Sequence, residues 1–223
     1  LPTLVAAMTR ADHEVAKVVV SHPAAPLHPA EIEFDEFLAA HAPMSRPAAT
    51  HGDDPGFWLY SSGSTGRPKG AVHSHANPYW TSELYGRHVL GLVETDVCFS
   101  AAKLFFAYGL GNGLTFPMSV GATTILMAER PTPDATFRRW HGEIGGARPT
   151  VFFGAPTGFA GMLASPALPR REDVALRLVS SAGEALPAEL GERFKAHFGV
   201  DIDRKSTRLN SSHVALSRMP SSA

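Results

Sequence analysis

The sequence is short of cysteine: Cys98 is the single one among 223 residues. One thiol cannot close an internal disulfide, so a disulfide scaffold is excluded and a reducing compartment, the cytoplasm, is expected. Charge is scarce too, at 18% of residues, and nearly balanced, with 20 Lys and Arg against 21 Asp and Glu. Such a balance offers no electrostatic footprint for nucleic acid and no attraction to an anionic membrane, so neither is expected as a partner. No apolar run is long enough to span a bilayer, and Leu1 opens no signal-peptide pattern. The start carries no Met and falls inside what reads as a helix over 1–16, so the chain reads as an internal fragment. The Gly-x-Ser-x-Gly of a hydrolase elbow is missing, because Gly63-Ser64-Thr65-Gly66 has the wrong spacing. Eleven histidines invite a metal reading, yet His73 and His75 have no third ligand at recognisable spacing, and no metal-ligating residue is expected. Cys98 sits in an apolar run and reads as a small core residue rather than a nucleophile.

What the sequence does have is centred on 57–70, Phe-Trp-Leu-Tyr-Ser-Ser-Gly-Ser-Thr-Gly-Arg-Pro-Lys-Gly. The aromatic run Phe57–Tyr60 reads as a buried strand that ends abruptly in small residues. Ser61, Ser62, Gly63, Ser64, Thr65 and Gly66 supply hydroxyls, unhindered backbone N–H groups and freedom at φ, and the cations Arg67 and Lys69 follow. A flexible Ser/Gly linker would need neither the aromatic strand before it nor the Arg-Pro-Lys-Gly after it. A Walker A loop needs Gly-Lys-Ser/Thr, whereas Arg67 and Pro68 separate Gly66 from Lys69. The loop suits a polyphosphate.

Strand and helix signals alternate along the rest. Strands are expected near 16–21, 96–100, 122–127, 150–153 and 177–180. Helices are expected near 32–40, 76–90, 110–120, 134–145, 156–164 and 187–198. This alternation predicts an α/β fold, mostly parallel sheet flanked by helices. Two further segments stand out. Lys103 to Gly113 is an aromatic cluster running into Gly109, Gly111 and Gly113, which taken alone is core packing at a turn and too weak for a dinucleotide fingerprint. Ser180 to Pro187, Ser-Ser-Ala-Gly-Glu-Ala-Leu-Pro, is a strand-loop-helix junction, placed where ligands of open parallel sheets lie.

Ser-Ser-Gly-Ser-Thr-Gly-Arg-Pro-Lys-Gly closely resembles the phosphate-binding signature of the adenylate-forming enzymes, the superfamily of acyl-CoA synthetases, luciferases and peptide-synthetase adenylation domains. Phe105-Phe106-Ala107-Tyr108-Gly109-Leu110-Gly111-Asn112 resembles the form found in benzoate-CoA ligases and their aryl-acid relatives. The resemblance covers residues 1–202 and implies part of the large N-terminal adenylate-forming domain. It also implies a two-step reaction: an aromatic carboxylate attacks the α-phosphate of ATP to give acyl-adenylate, and coenzyme A then displaces AMP, with Mg2+ in attendance. By this resemblance Ser61, Ser62, Gly63, Ser64, Thr65, Gly66 and Lys69 hold the ATP phosphates, Thr65 and Lys69 being the catalytic pair. Ala182, Gly183, Glu184 and Ala185 form the adenine slot, and Ala107, Tyr108 and Ala182 line the acyl pocket. The family's magnesium-binding glutamate, ribose-binding aspartate and catalytic lysine are expected beyond Ile202, so the chain by itself is expected to be inactive. A non-catalytic nucleotide- or acyl-binding module, and a ligase for hydroxybenzoate, aminobenzoate or fatty acid, remain as alternatives. From Asp203 to Ala223 the apolar period vanishes, and the segment resembles a translated sequencing adapter, a tail that is not native.

Overall fold

A computed structural model describes residues 2–62 and 68–203, with the side chains of Ser61 and Ser62 left out. The chain divides into two compact units, Leu1–Thr50 and the remainder from His51. The first holds α1 (Pro2–Met8), a parallel pair of three-residue strands, β1 (Val18–Val20) and β2 (Glu31–Glu33), and α2 (Phe34–Ala39). The helix predicted over 1–16 stops at Met8. The strand expected near 16–21 spans Val18–Val20 and leaves Val19 40% exposed, because a two-stranded sheet covers few of its own side chains. Glu33 closes β2 and caps α2, its carboxylate accepting from the N–H groups of Asp35 and Glu36.

The second unit opens with an antiparallel hairpin of β3 (Pro55–Ser62) and β4 (Pro68–Ser74), with Tyr60 opposite Gly70 and Ser61 opposite Lys69. The loop thus joins two strands of one ribbon, and β4 occupies a stretch where the sequence signals only an approach to a helix. Period-two alternation puts Phe57 and Leu59 on one face with Ala71 and His73. Trp58 and Tyr60 on the other face stay 54% and 74% exposed. The aromatic run is therefore half covered, since a ribbon packed on one side leaves its other side in water.

Next come α3 (Ala76–Thr81), which runs into a π turn over Ser82–Arg87, and β5 (Val97–Ser100). The following helix starts earlier than the predicted 110. It comprises α4 (Ala107–Leu110), a π turn over Gly111–Thr115 and α5 (Phe116–Val120). Pro117 explains the irregularity: it has no N–H to give the carbonyl four residues back, that of Gly113. The Thr124 hydroxyl donates to Gly113 O instead, at 3.0 Å. Gly121, at φ 74°, ends the helix in the left-handed conformation that glycine adopts most readily. The chain continues through β6 (Thr123–Ile125), α6 (Pro133–Trp140), β7 (Val151–Gly154), α7 (Pro156–Leu163), β8 (Leu178–Ser181), α8 (Ala188–Phe198) and β9 (Ile202–Asp203). The last strand takes in Asp203, the first residue of the expected tail, and 204–223 lie outside the described residues.

Strands β5 to β9 form one wholly parallel sheet in the order β6-β5-β7-β8-β9. Alternation along β5 and β7 divides the core between its faces. Phe99 and Phe152 pack with Trp140, Phe159, Phe194 and Phe198 from α6, α7 and α8, while Cys98, Val151 and Phe153 pack with Phe116 from α5. Cys98 has no solvent exposure, and burial first, with the Asp96 charge second, pushes its thiol up to about 12. A thiol so placed should ignore a disulfide reagent such as dithionitrobenzoate in the native chain and titrate as one equivalent in denaturant. Rapid native labelling would contradict this packing.

At the amino-terminal ends of the strands, a polar knot around the buried Asp96 ties three of them together. Arg177 Nε donates to Asp96 Oδ1 at 2.7 Å and its Nη2 donates to Asp96 Oδ2. The same carboxylate accepts from the Thr150 hydroxyl at 2.8 Å and the Val93 N–H at 3.0 Å. Burial alone would push the Asp96 carboxyl up, but these donors and the guanidinium charge outweigh it and hold the group below its ordinary value. No helix among the described residues is long and apolar enough to cross a membrane.

Candidate functional site

The strand order locates the first site. From β5 the chain crosses to β6 on one side, then returns past β5 to β7, β8 and β9 on the other. The helix of the first crossover packs on the Cys98 face, and those of the later ones on the Phe99 face. Where winding reverses, the loops leaving two neighbouring strands go to opposite faces and leave a crevice at their carboxyl ends. That point lies between β5 and β7, and a cavity of about 500 Å³ occupies it. Its lining includes Ala101, Lys103 and Tyr108 from the segment after β5, and Gly154, Thr157 and Gly158 from the end of β7 into α7.

Tyr108 lies across the strand ends. Its hydroxyl is within bonding distance of Gly154 O at 3.3 Å and Ser180 O at 3.2 Å, and its ring meets Phe153 edge-on at 6.4 Å between centroids. Burial pushes the phenol up, so it remains a neutral donor throughout the physiological range. Ala107 borders a different cleft, because one step along a helix turns about 100°. That cleft, of about 130 Å³, lies against Phe57, Leu59, His73, Leu110 and Phe116. Phe57 and His73 stack face to face there, 5.0 Å apart with an 8° interplanar angle. Lys69 is exposed and shares the hairpin face of Phe57, Leu59 and His73, so strand register directs its position to the same side as Ala107. Gly63, Ser64, Thr65 and Gly66 lie outside the described residues, and Ser61 and Ser62 are placed only as the end of β3.

The segment 182–185 leaves the carboxyl end of β8. Ala182 is buried, and its N–H donates to Gly154 O at 3.3 Å, the carbonyl that Tyr108 also reaches. Gly183 follows at φ 95°, a backbone state that disfavours a side chain, and Glu184 and Ala185 are exposed. The Glu184 carboxylate accepts from the Thr157 hydroxyl at 2.9 Å. Tyr108 and the 182–185 segment are thus brought together around the ends of β7 and β8, while Ala107 borders the cleft on the hairpin side and Lys69 lies further along the same hairpin face.

Lys103, noted only as the start of the 103–113 segment, and Thr157 were given no role by the sequence. Lys103 Nζ donates to the carbonyls of Met127 and Glu129 and so ties the loop after β5 to the one after β6. Glu129 in turn pairs with the buried Arg139 at 2.7 Å. The signal that could have found these residues is the switch point, and it needs the strand order, which alternation along the sequence does not supply.

A model of the AMP-binding enzyme family matches residues 2–204. The benzoate–CoA ligase of Thauera aromatica is 56% identical over 165 residues, 74% of this chain and 31% of that protein. Among solved structures, a benzoate CoA ligase from Burkholderia xenovorans LB400 superposes with a TM-score of 0.72 at 60% identity, covering 83% of this chain and 35% of that one. An anthranilate CoA ligase in complex with anthranoyl-AMP superposes with a TM-score of 0.72 at 35% identity, covering 84% and 35%. The chain spans about a third of the length of the curated relatives it matches.

Proposed function

The chain belongs to the AMP-binding enzyme family, and from that premise we propose that it is part of an ATP-dependent aryl-acid CoA ligase acting on benzoate or a close relative. The longer protein joins the carboxylate to the α-phosphate of ATP and passes the acyl group from AMP to coenzyme A. The observation that carries this reading is the 56% identity to a benzoate–CoA ligase. The switch-point cavity and the 182–185 segment beside it support it.

Adenylation must bring two anions together, so placement and neutralisation of charge are what a protein contributes most. In this reading Ser61, Ser62, Gly63, Ser64, Thr65 and Gly66 offer donors to the phosphates at the tip of the hairpin. Lys69, a point charge on the strand that leaves the tip, offsets the same anions. The backbone of Ala182, Gly183, Glu184 and Ala185 forms a wall for adenine at the end of β8. Ala107 and Tyr108 border the acyl group from two sides of one helix start, with Ala182 nearby. The buried Tyr108 hydroxyl is a neutral donor on this side, so the approach of a carboxylate meets no opposing charge from it. Magnesium serves such chemistry by screening phosphate charge. The described residues hold no group of three His, Cys, Asp or Glu suited to a cation, and no step is assigned to one. Residues from Asp203 onward are taken as non-native, and resequencing the source locus decides it: a native reading frame that encodes 203–223 refutes the assignment.

Lys69→Ala should weaken ATP binding by about ten- to a hundredfold, the worth of one charge-assisted contact to phosphate. Calorimetric titration of ATP into the wild-type and variant chains measures this. Equal affinities would remove Lys69 from the phosphate site, and no binding to the wild type would overturn the reading for this chain.

A further inference from the structure

The bond between Thr157 and Glu184 joins two segments to which the ligase reading gives different tasks, the wall of the switch-point cavity and the adenine loop. Thr157 is the second residue of α7 and lines that cavity. The cap of α7 is Ala155, which brings no side-chain acceptor to a helix start whose first N–H groups have no intrahelical partner. The Glu184 carboxylate, from another segment, accepts from the Thr157 hydroxyl in this first turn, where the helix dipole favours negative charge. The loop that brings it needs such a tie. Gly183 at φ 95° would touch nothing within 4 Å even if it carried a Cβ, and residues 183–185 are all exposed. A segment with so few neighbours loses entropy whenever it is ordered by a ligand, and a tether that orders it in advance raises affinity without touching the ligand. Glu184 is also ill suited to touch ATP itself, since its charge has the sign of the phosphates.

We propose that Thr157 and Glu184 are a positioning pair: Glu184 anchors the 182–185 loop on the start of α7, and the anchored loop is what receives the nucleotide. The proposal rests on the ATP reading above for the identity of the ligand, though not for the tether itself. Thr157 is then a determinant of nucleotide affinity that sits on the cavity side of the bond.

Two readouts test it on the full chain. The first is cleavage after Glu184 by an endoproteinase specific for glutamate, located by mass spectrometry. Thr157→Val, which keeps the shape and removes the hydroxyl, should speed that cut about three- to tenfold, the range expected for one exposed hydrogen bond. Thr157→Ser should restore the wild-type rate, and cuts at other glutamates should not change. The second is ATP affinity, which should fall by a similar factor in Thr157→Val and recover in Thr157→Ser. Adding Glu184→Gln to Thr157→Val should weaken binding no further, because both remove the same bond. Unchanged cleavage in Thr157→Val overturns the tether. A loss of ATP affinity in Glu184→Gln far beyond that in Thr157→Val also overturns the proposal, by making Glu184 a direct contact. Faster cleavage in a chain that binds no ATP supports the tether and sinks the ligase reading alone. Should Thr157→Val fail to fold, Thr157→Ala removes the same hydroxyl with less bulk and is read in the same two ways.

Discussion

Arg177→Met is expected to cost the fold about 3 kcal/mol, the low end of what breaking a buried ion pair costs. The low end applies because the two partners are unequally placed: the Asp96 side chain is 2% exposed and that of Arg177 42%. Removing the arginine strands a buried carboxylate with only Thr150 and the Val93 N–H as donors. Asp96→Asn should cost less, since the guanidinium it leaves behind can turn to water and to Gly91 O, which it already reaches at 3.0 Å. The pH dependence separates this account from simple loss of packing. In the wild type the Asp96 carboxyl lies below its ordinary value of 3.8, so its contribution is present above that value and is lost as pH falls through the lower native one. In Arg177→Met burial is left to dominate and the same carboxyl moves up. Its unfavourable effect then grows as pH rises and is relieved by acid. The stability gap between the two proteins, followed by urea denaturation from pH 7 to pH 3.5, should therefore narrow. A gap constant across that range would mean that the knot is held by shape alone.

Gly109→Ala is expected to be the most damaging added methyl among the described glycines, at about 3 kcal/mol or more. A Cβ on Gly109 would stand 2.0 Å from the Lys103 carbonyl oxygen and 2.7 Å from that of Ala102. Both are backbone atoms, so no rotamer change relieves the clash, and the 102–108 segment has to move. Tyr108 would move with it and lose its hold on Gly154 and Ser180, so local disorder at the strand ends should accompany the lower thermal midpoint. Gly158→Ala is the control. Nothing lies within 4 Å of its Cβ position, φ there is ordinary, and a helix gains up to about 1 kcal/mol from the exchange. A Gly109→Ala chain as stable as wild type would refute the close approach of α4 to the loop before it.

The parallel sheet was legible because β5, β7 and β8 are short apolar runs flanked by helical periods. Cys98, Phe99, Phe152 and Val179 are as deeply buried as that pattern requires. β4 was not legible. Its Pro68 and Gly70 are depleted in strands, and what makes it one is its register against β3, a partner six or more residues away. The aromatic run of β3 misled in the opposite direction, since composition does not tell how many faces of a strand will be covered. Among the candidate site residues, the 182–185 loop showed itself as small residues between a strand and a proline at the start of a helix. Thr157 showed nothing, because its place depends on which strand ends adjoin. Ala107 and Tyr108 are neighbours in sequence and border different clefts, a separation that only helix geometry reveals.

The interior place of β5, between β6 and β7, also has a cost in time. It is the first strand of its sheet to be synthesised, yet the carboxylate at its start waits for Thr150, 54 residues later, and for Arg177, 81 residues later. At about 5–20 residues per second, the second interval lasts roughly 4–16 seconds on the ribosome. Throughout it Cys98 and Phe99 present an apolar strand with at least one open edge, the state most prone to pair with another chain. Slower translation between Ser100 and Arg177 should therefore lower the soluble yield of this protein, whereas slowing it before His51 should not.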